Sequence, residues 1–339
     1  MKNCLIVSAN DRYIPYLSVL LASVIGTDGM EEGLEVVILY EDISEQHRNQ
    51  IVGQVKETFV TIRFVNVHER IKNYSFFTNG TGNQAYLTKE AYFRLLAPWI
   101  LTEYHKALYL DCDMVVRAGW QNIYEMNLEN FLLAAVQDIW GNWECYDTKS
   151  MLYQYRVKEL ELDNPVEYFN SGMMLLNLEA FRNTFHEGEL VELAASRGWA
   201  KHDQDVLNYI GNGKIKWLDF SWNMIECPGE RAKKAIPEKI LQMYETQKKQ
   251  PYIIHYASRK PWIIKGVNFE QEFWRAAADS SFFDELLTGF IEEQLSQGTQ
   301  FEKQALNSIR QGKIGVKFIM KCVITWIKEG KKPKRKSRI

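Results

Sequence analysis

The run Leu108-Tyr109-Leu110-Asp111-Cys112-Asp113-Met114-Val115-Val116 constrains this chain more than any other segment. Two carboxylates, one residue apart, follow one apolar run and precede another. A continuous apolar run is the mark of a strand buried on both faces, and this one hands two oxygen ligands to the carboxyl edge of its sheet. Acidic side chains are seldom sunk in such a setting without a cation or a partner. The pair therefore points to a hard divalent metal, Mn²⁺ or Mg²⁺, with a phosphate beside it. An EF-hand is excluded, because the later Asp/Asn, Gly and Glu positions of that loop are missing.

The rest of the pattern supplies the sheet. Residues 4–8, 34–40 and 60–65 read as buried strands. Residues 13–26 have helical spacing and end on Gly26, and Ser44 can cap a helix through about residue 59. Strands alternating with helices imply an α/β fold, a mixed but mostly parallel sheet flanked by helices. Residues 73–88, rich in Asn, Gly and Thr, read as a loop, and 88–101 as a helix bearing Tyr92, Arg94 and Leu95. The stretch 138–163 is aromatic with weak periodicity, fitting a lid or an acceptor site. Residues 168–178 return as a strand-like run, 187–196 and 203–210 as short helices, and 251–256 as a further strand.

Composition narrows the class. Five scattered Cys with no CxxC argue against a disulfide framework or a zinc site, and fit a reducing compartment. There is no long signal-peptide core and no run of about 20 apolar residues, so a cytoplasmic protein is expected. The net charge is −2, yet seven of the residues from 328 to 339 are basic and only Glu329 is acidic. The body is therefore acidic and the end basic. Residues 313–328 are amphipathic, with Lys313, Lys317, Lys321 and Lys328 on one narrow face. That segment and the tail fit peripheral association with an anionic membrane surface.

Neither GxxxxGK[ST] nor GxGxxG occurs, which disfavours P-loop and dinucleotide-binding readings. A metal on Asp111 and Asp113 would neutralise phosphates instead. His255 and Lys260, at the end of a later strand, are natural helpers, and the metal needs a third protein ligand. His202-Asp203-Gln204-Asp205 opens a helix; Asp203 either caps it or is aimed with Gln204 into a cleft.

Together these segments resemble glycosyltransferase family 8, the retaining GT-A transferases that include bacterial lipopolysaccharide galactosyl- and glucosyltransferases. The landmarks stand in the family's order from about residue 2 to 262: Ser8-Ala9-Asn10-Asp11-Arg12-Tyr13, Tyr92-Phe93-Arg94-Leu95, the Asp111 run, Tyr168-Phe169-Asn170-Ser171-Gly172 with Asn177-Leu178, residues 202–205, and the stretch from His255 to Trp262. The resemblance implies a UDP-hexose donor, a saccharide acceptor (lipid-linked, polysaccharide or glycoprotein glycan) and Mn²⁺, with no nucleic-acid partner. It assigns Asp111, Asp113 and His255 to the metal and Lys260 to the diphosphate. Asn10, Arg12 and Tyr13 fall to the uridine, with Tyr13 stacking on uracil, and Ser8 and Ala9 belong to the donor site. Arg94, Asn170, Asp203 and Gln204 fall to the sugar, the last three nearest the chemistry. Cys112 and Ser258 complete the donor set. The chain departs from the family at Asn10-Asp11-Arg12-Tyr13, often Asp-Asp-Asn-Tyr, and at Ser258, often Gly. The expected organisation is a GT-A domain over 1–265, a helical extension over 266–312, and the basic segment over 313–339. A non-catalytic sugar-nucleotide or glycan-binding module and a metal-dependent phosphodiesterase are the other classes the residues allow.

Overall fold

The computed structural model describes residues 3–27, 33–76, 89–227 and 229–296. Residues 77–88 of the expected loop, residues 297–312 of the expected helical extension, and the whole 313–339 segment lie outside the described residues.

A seven-stranded mixed sheet forms the frame, in the order β3-β2-β1-β4-β7-β6-β8. The strands are β1 (Asn3–Ser8), β2 (Leu34–Tyr40), β3 (Val60–Asn66), β4 (Ala107–Leu110), β6 (Leu133–Gln137), β7 (Phe169–Leu176) and β8 (Ile215–Leu218). Strands β1 to β4 run parallel, and β7 lies antiparallel between β4 and β6. Side chains alternate faces along each strand. Leu5 and Val7 of β1 and Leu108 and Leu110 of β4 enter one hydrophobic cluster; Cys4, Ile6, Ala107 and Tyr109 enter the other. The chain leaves β1 toward β2 on one side and returns from β3 to β4 on the other. That reversal opens a crevice beyond the carboxyl ends of β1 and β4, where α/β sheets bind ligands.

A second sheet, β5-β10-β9, extends the frame at that edge. It joins β5 (Met114–Val116), β9 (Met224–Ile225) and β10 (Ile253–His255). Strand β10 pairs antiparallel with β5 so that His255 faces Met114, and Tyr256 N donates to Asp113 O at 3.0 Å. This register carries His255 to the Asp pair. The helices Glu270–Ala278 and Phe283–Ser296 pack beside Ile14–Ile25; Phe273, Trp274, Leu286 and Leu287 share a cluster with Leu17, Leu20 and Leu21. Among the described residues no helix is long and apolar enough to cross a membrane.

One expected helix differs. Residues 89–96 form a 3₁₀ segment and only Ala97–Ile100 is α-helical. A continuous helix would need an N–H from Pro98 to the Arg94 carbonyl, and proline has none. The strands β6, β8 and β9, and the helices Glu230–Ala235 and Glu238–Gln247, were not read from the sequence.

Candidate active site

The turn after β4 presents Asp111 and Asp113, and β10 presents His255. One ligand atom from each lies within 4.8 Å of the others. His255 Nε2 sits 3.3 Å from Asp113 Oδ1 and 3.9 Å from Asp111 Oδ2. The opposite ring nitrogen, Nδ1, lies 3.0 Å from Asn223 Oδ1. Donation from Nδ1 to that carbonyl leaves the Nε2 lone pair facing the carboxylates. Asp113 Oδ1 is buried and has no hydrogen-bond partner among the described residues. An orphaned buried carboxylate oxygen beside a second carboxylate and an imidazole lone pair fits a hard divalent cation. Gly172 makes room for the cluster: a Cβ there would meet His255 Cε1 at 2.5 Å and Asp111 Oδ2 at 2.7 Å.

Two cations balance these acids. Lys260 Nζ donates directly to Asp113 Oδ2. Burial pushes the Asp113 acid up, but Lys260, and then His255 in its protonated form, outweigh it and hold the group well below the usual carboxylate range while no cation is bound. Arg94, its side chain 5% exposed, donates to Asp111 Oδ1 at 2.9 Å and to Ser171 O at 2.6 Å. Its Nε is 3.3 Å from Asp203 Oδ2, and its guanidinium lies 4.2 Å from the Tyr109 ring centre. Burial lifts Asp203 above the usual range against the opposing pull of Arg94, and Asp111 adds to the lift.

The helix Asp203–Gly211 supplies the far wall. His202 holds its N-cap position at φ 52°, ψ −128°, in the left-handed half of the map, and its Nδ1 is 3.0 Å from Tyr92 Oη. Asp203 does not cap the helix; its Oδ2 accepts from Ser171 Oγ at 2.9 Å. Gln204 Oε1 accepts from Asn170 Nδ2 at 3.2 Å and from Ser171 N at 3.0 Å, while its Nε2 donates to Asp138 Oδ2 at 3.2 Å. Asp205 instead ties the fold, accepting from the Tyr168 and Tyr155 hydroxyls at 2.6 and 2.7 Å.

One cavity of about 370 Å³ gathers most of the expected residues. Ser8, Ala9, Asn10 and Tyr13 line it from the end of β1. Arg94, Asp111, Cys112 and Asp113 line it from the Asp run and the 3₁₀ segment, and Asn170, Asp203, Gln204, His255 and Lys260 complete it. The Cys112 thiol donates to Ser8 O at 3.3 Å, and burial pushes its pKa far up, so it offers no thiolate. Arg12 lies instead on an adjoining cleft of about 920 Å³ that also reaches Asn10, Tyr13 and Lys260. Tyr16 and Trp262, stacked with centroids 4.2 Å apart, form its wall. Ser258 is exposed and lines neither space.

Sequence reasoning missed three residues. Asp138 follows β6, a strand that was itself not read. Asn223 lies in a two-strand turn without a motif. Glu90 lines the cavity 7% exposed, and its Oε2 has no hydrogen-bond partner among the described residues. It stands in the run Lys89-Glu90-Ala91-Tyr92, which carries no motif at that position.

Comparison with known proteins shows the family and the fold. The chain is 25% identical over 280 residues to the glycosyltransferase GlyB of Streptococcus pneumoniae serotype 4, covering 80% of this chain and 60% of GlyB. Its fold superposes on the bifunctional glycosyltransferase WbbM with a TM-score of 0.72 at 23% identity, over 85% of this chain and 51% of WbbM. It superposes on the galactosyltransferase LgtC, solved with donor and acceptor sugar analogues, with a TM-score of 0.64 at 21% identity, over 82% of this chain and 96% of LgtC. The fold is thus the GT-A fold. Residues 4–265 match the family described as glycosyl transferase family 8, and the chain belongs to that family.

Proposed function

We propose that this glycosyltransferase moves a hexose, galactose or glucose, from a UDP-sugar to a saccharide acceptor with retention at the anomeric carbon. The observation that carries the reading is the Asp111–Asp113–His255 cluster with Lys260, facing Asn170, Asp203 and Gln204 across one cavity. A divalent ion held by that trio, Mn²⁺ by preference, would act as a Lewis acid on the diphosphate and stabilise the departing UDP. Lys260 adds a positive charge to the same leaving group. Tyr13 and Asn10 hold the nucleoside, and Arg12 meets it from the adjoining cleft. Arg94, fixed between Asp111 and Asp203, closes the sugar side.

The hydrogen bonds of Gln204 bear on how retention arises. Both lone pairs of its amide oxygen are engaged, by Asn170 Nδ2 and Ser171 N. A neutral amide so occupied is a poor nucleophile. The geometry favours a front-face route through an oxocarbenium-like transition state, with Gln204 as an electrostatic stabiliser rather than a covalent partner.

The deciding experiment is UDP release with Mn²⁺ across a panel of UDP-sugars, with Asp113→Ala as control. Release with one sugar, abolished in the variant, names the donor. Mn²⁺-dependent UDP binding without release from any sugar favours the non-catalytic binding module, and phosphodiester turnover without an acceptor favours the phosphodiesterase. The basic 313–339 segment supports a peripheral position on the inner face of a membrane, near a lipid-linked or envelope acceptor. Liposome flotation of the full chain against a 1–312 truncation tests it, and equal flotation by both would end the idea.

A further inference from the structure

We propose that Asn223 is a positioning residue that sets both the metal-facing nitrogen of His255 and the amide of Gln204. The inference rests on reading Asp111, Asp113 and His255 as a divalent-cation site. Asn223 is 3% exposed and sits in the turn before β9, 32 residues from His255 in sequence. Its two amide atoms serve opposite sides of the cavity. Oδ1 lies 3.0 Å from His255 Nδ1, and Nδ2 donates to Asn170 Oδ1 at 3.0 Å. Asn170 Nδ2 then donates to Gln204 Oε1 at 3.2 Å, and Gln204 Nε2 donates to Asp138 Oδ2 at 3.2 Å.

Every bond in this series points the same way. It begins at an imidazole N–H, passes through three amides, and ends on a carboxylate whose other oxygen accepts from Gly141 N at 2.8 Å. Bonds in such a series polarise one another. The direction is also forced. If Asn223 were turned over, its NH₂ would face Nδ1 and demand the other tautomer. Nε2 would then carry a hydrogen aimed at Asp113, and no lone pair would remain for a cation. Gly172 N, which donates to Asn170 Oδ1 at 3.1 Å, independently holds the Asn170 end in the same sense. One side chain therefore fixes a metal ligand and the sugar-side amide together.

The two functions separate by substitution. Asn223→Ala removes both contacts. Asn223→Asp keeps an acceptor for His255 Nδ1 but has no hydrogen to give Asn170, so only the arm toward Gln204 is broken. The test measures the Kd for Mn²⁺ on the full chain, from the free-Mn²⁺ electron paramagnetic resonance signal, beside kcat for UDP release. For Asn223→Ala we expect Mn²⁺ to bind about 10- to 100-fold more weakly, the range for loss of a partner that orients a ligating His. For Asn223→Asp we expect Mn²⁺ affinity within about threefold of the parent, with kcat lowered at least tenfold at saturating donor. Parent-like Mn²⁺ affinity in Asn223→Ala would overturn the proposal, as would an equal loss of affinity in Asn223→Asp. Should Asn223→Ala fail to fold, the Asn223→Asp comparison decides alone. A parent chain that binds no Mn²⁺ would overturn the cation reading itself, and the proposal with it, whereas the other failures touch only Asn223.

Discussion

Arg94 Nη2 lies 2.9 Å from Asp111 Oδ1 while Arg94 Nε lies 3.3 Å from Asp203 Oδ2, so one buried guanidinium joins the Asp111 side of the cavity to the Asp203 side. Removing it strands two acids, one of them fully enclosed. Breaking a buried pair from one side costs about 3–5 kcal/mol, because the charge left behind has no compensation. Arg94→Met should lose stability of that order in urea unfolding without metal. Arg94→Lys should recover only part of it, since an ammonium is a single point charge and cannot reach both carboxylates as a planar fork does. Full recovery in Arg94→Lys would refute the bridging role.

Lys260 makes a pH-dependent contribution through Asp113. Burial raises that acid, yet Lys260 and the protonated form of His255 lower it further than burial lifts it. A carboxyl lowered on folding stabilises the chain above its unfolded pKa of about 3.9, and loses that contribution as pH falls toward the folded value. Lys260→Met should therefore be less stable than the parent at pH 7 without metal, and the gap should narrow progressively as pH falls below about 4. Saturating Mn²⁺ should also narrow it, because a cation replaces the missing charge. A gap that is flat from pH 7 to pH 3 would show that Lys260 acts by packing alone.

The sequence showed the parts of this site that lie on strands buried on both faces. β4 is a continuous apolar run, as are residues 4–7 of β1 and 173–176 of β7, and Asn10, Asp111, Asp113 and Asn170 stand just beyond them at the shared sheet edge. Partnerships made by the second sheet were hidden. Asn223 meets His255 only because the two-residue strand β9 pairs with β10, and a strand so short has no periodicity to read. β8, Ile-Lys-Trp-Leu, is an edge strand with an irregular burial pattern, so its alternation was equally faint. Asp138 was lost for the same reason, since it depends on placing β6 beside β7.

Glu90 carries a buried carboxylate oxygen with no hydrogen-bond partner among the described residues, in the wall of the cavity. Such a group lacks about 1–3 kcal/mol of compensation, which ligand hydroxyls can restore. Glu90→Gln should raise the melting temperature of the free chain and weaken binding of the sugar nucleotide while leaving UDP affinity unchanged. Calorimetric titration with both ligands checks this, and equal weakening of the two would place Glu90 away from the sugar.

Gly172 is where the backbone of β7 passes beneath the Asp111–Asp113–His255 cluster. An added Cβ at 2.5 Å from His255 Cε1 is closer than atoms pack, and the ring is hemmed in by β5 and β9. Gly172→Ala should displace His255 and weaken Mn²⁺ binding at least tenfold, the scale set by misorienting a ligating His. Because β7 is extended here, the same change should cost little in helix or turn geometry, and the fold should persist by circular dichroism. Parent-like Mn²⁺ affinity would mean that the ring has room to move aside.

Gln204 separates two routes to retention. Its amide oxygen is held by Asn170 and Ser171, and its amide nitrogen is turned to Asp138. If Gln204 were the nucleophile, removing it would abolish turnover as thoroughly as Asp113→Ala. As a fixed dipole it should be worth about 10²- to 10³-fold in kcat, the range measured for single transition-state donors. Gln204→Ala should therefore retain measurable, Mn²⁺-dependent UDP release with retained anomeric configuration in the product. Among the described residues Asp138 is the one carboxylate bonded to Gln204 and offers the internal control: trapping of a glycosylated Asp138 in the Gln204→Ala chain, by mass spectrometry of the quenched reaction, would replace the front-face route with double displacement.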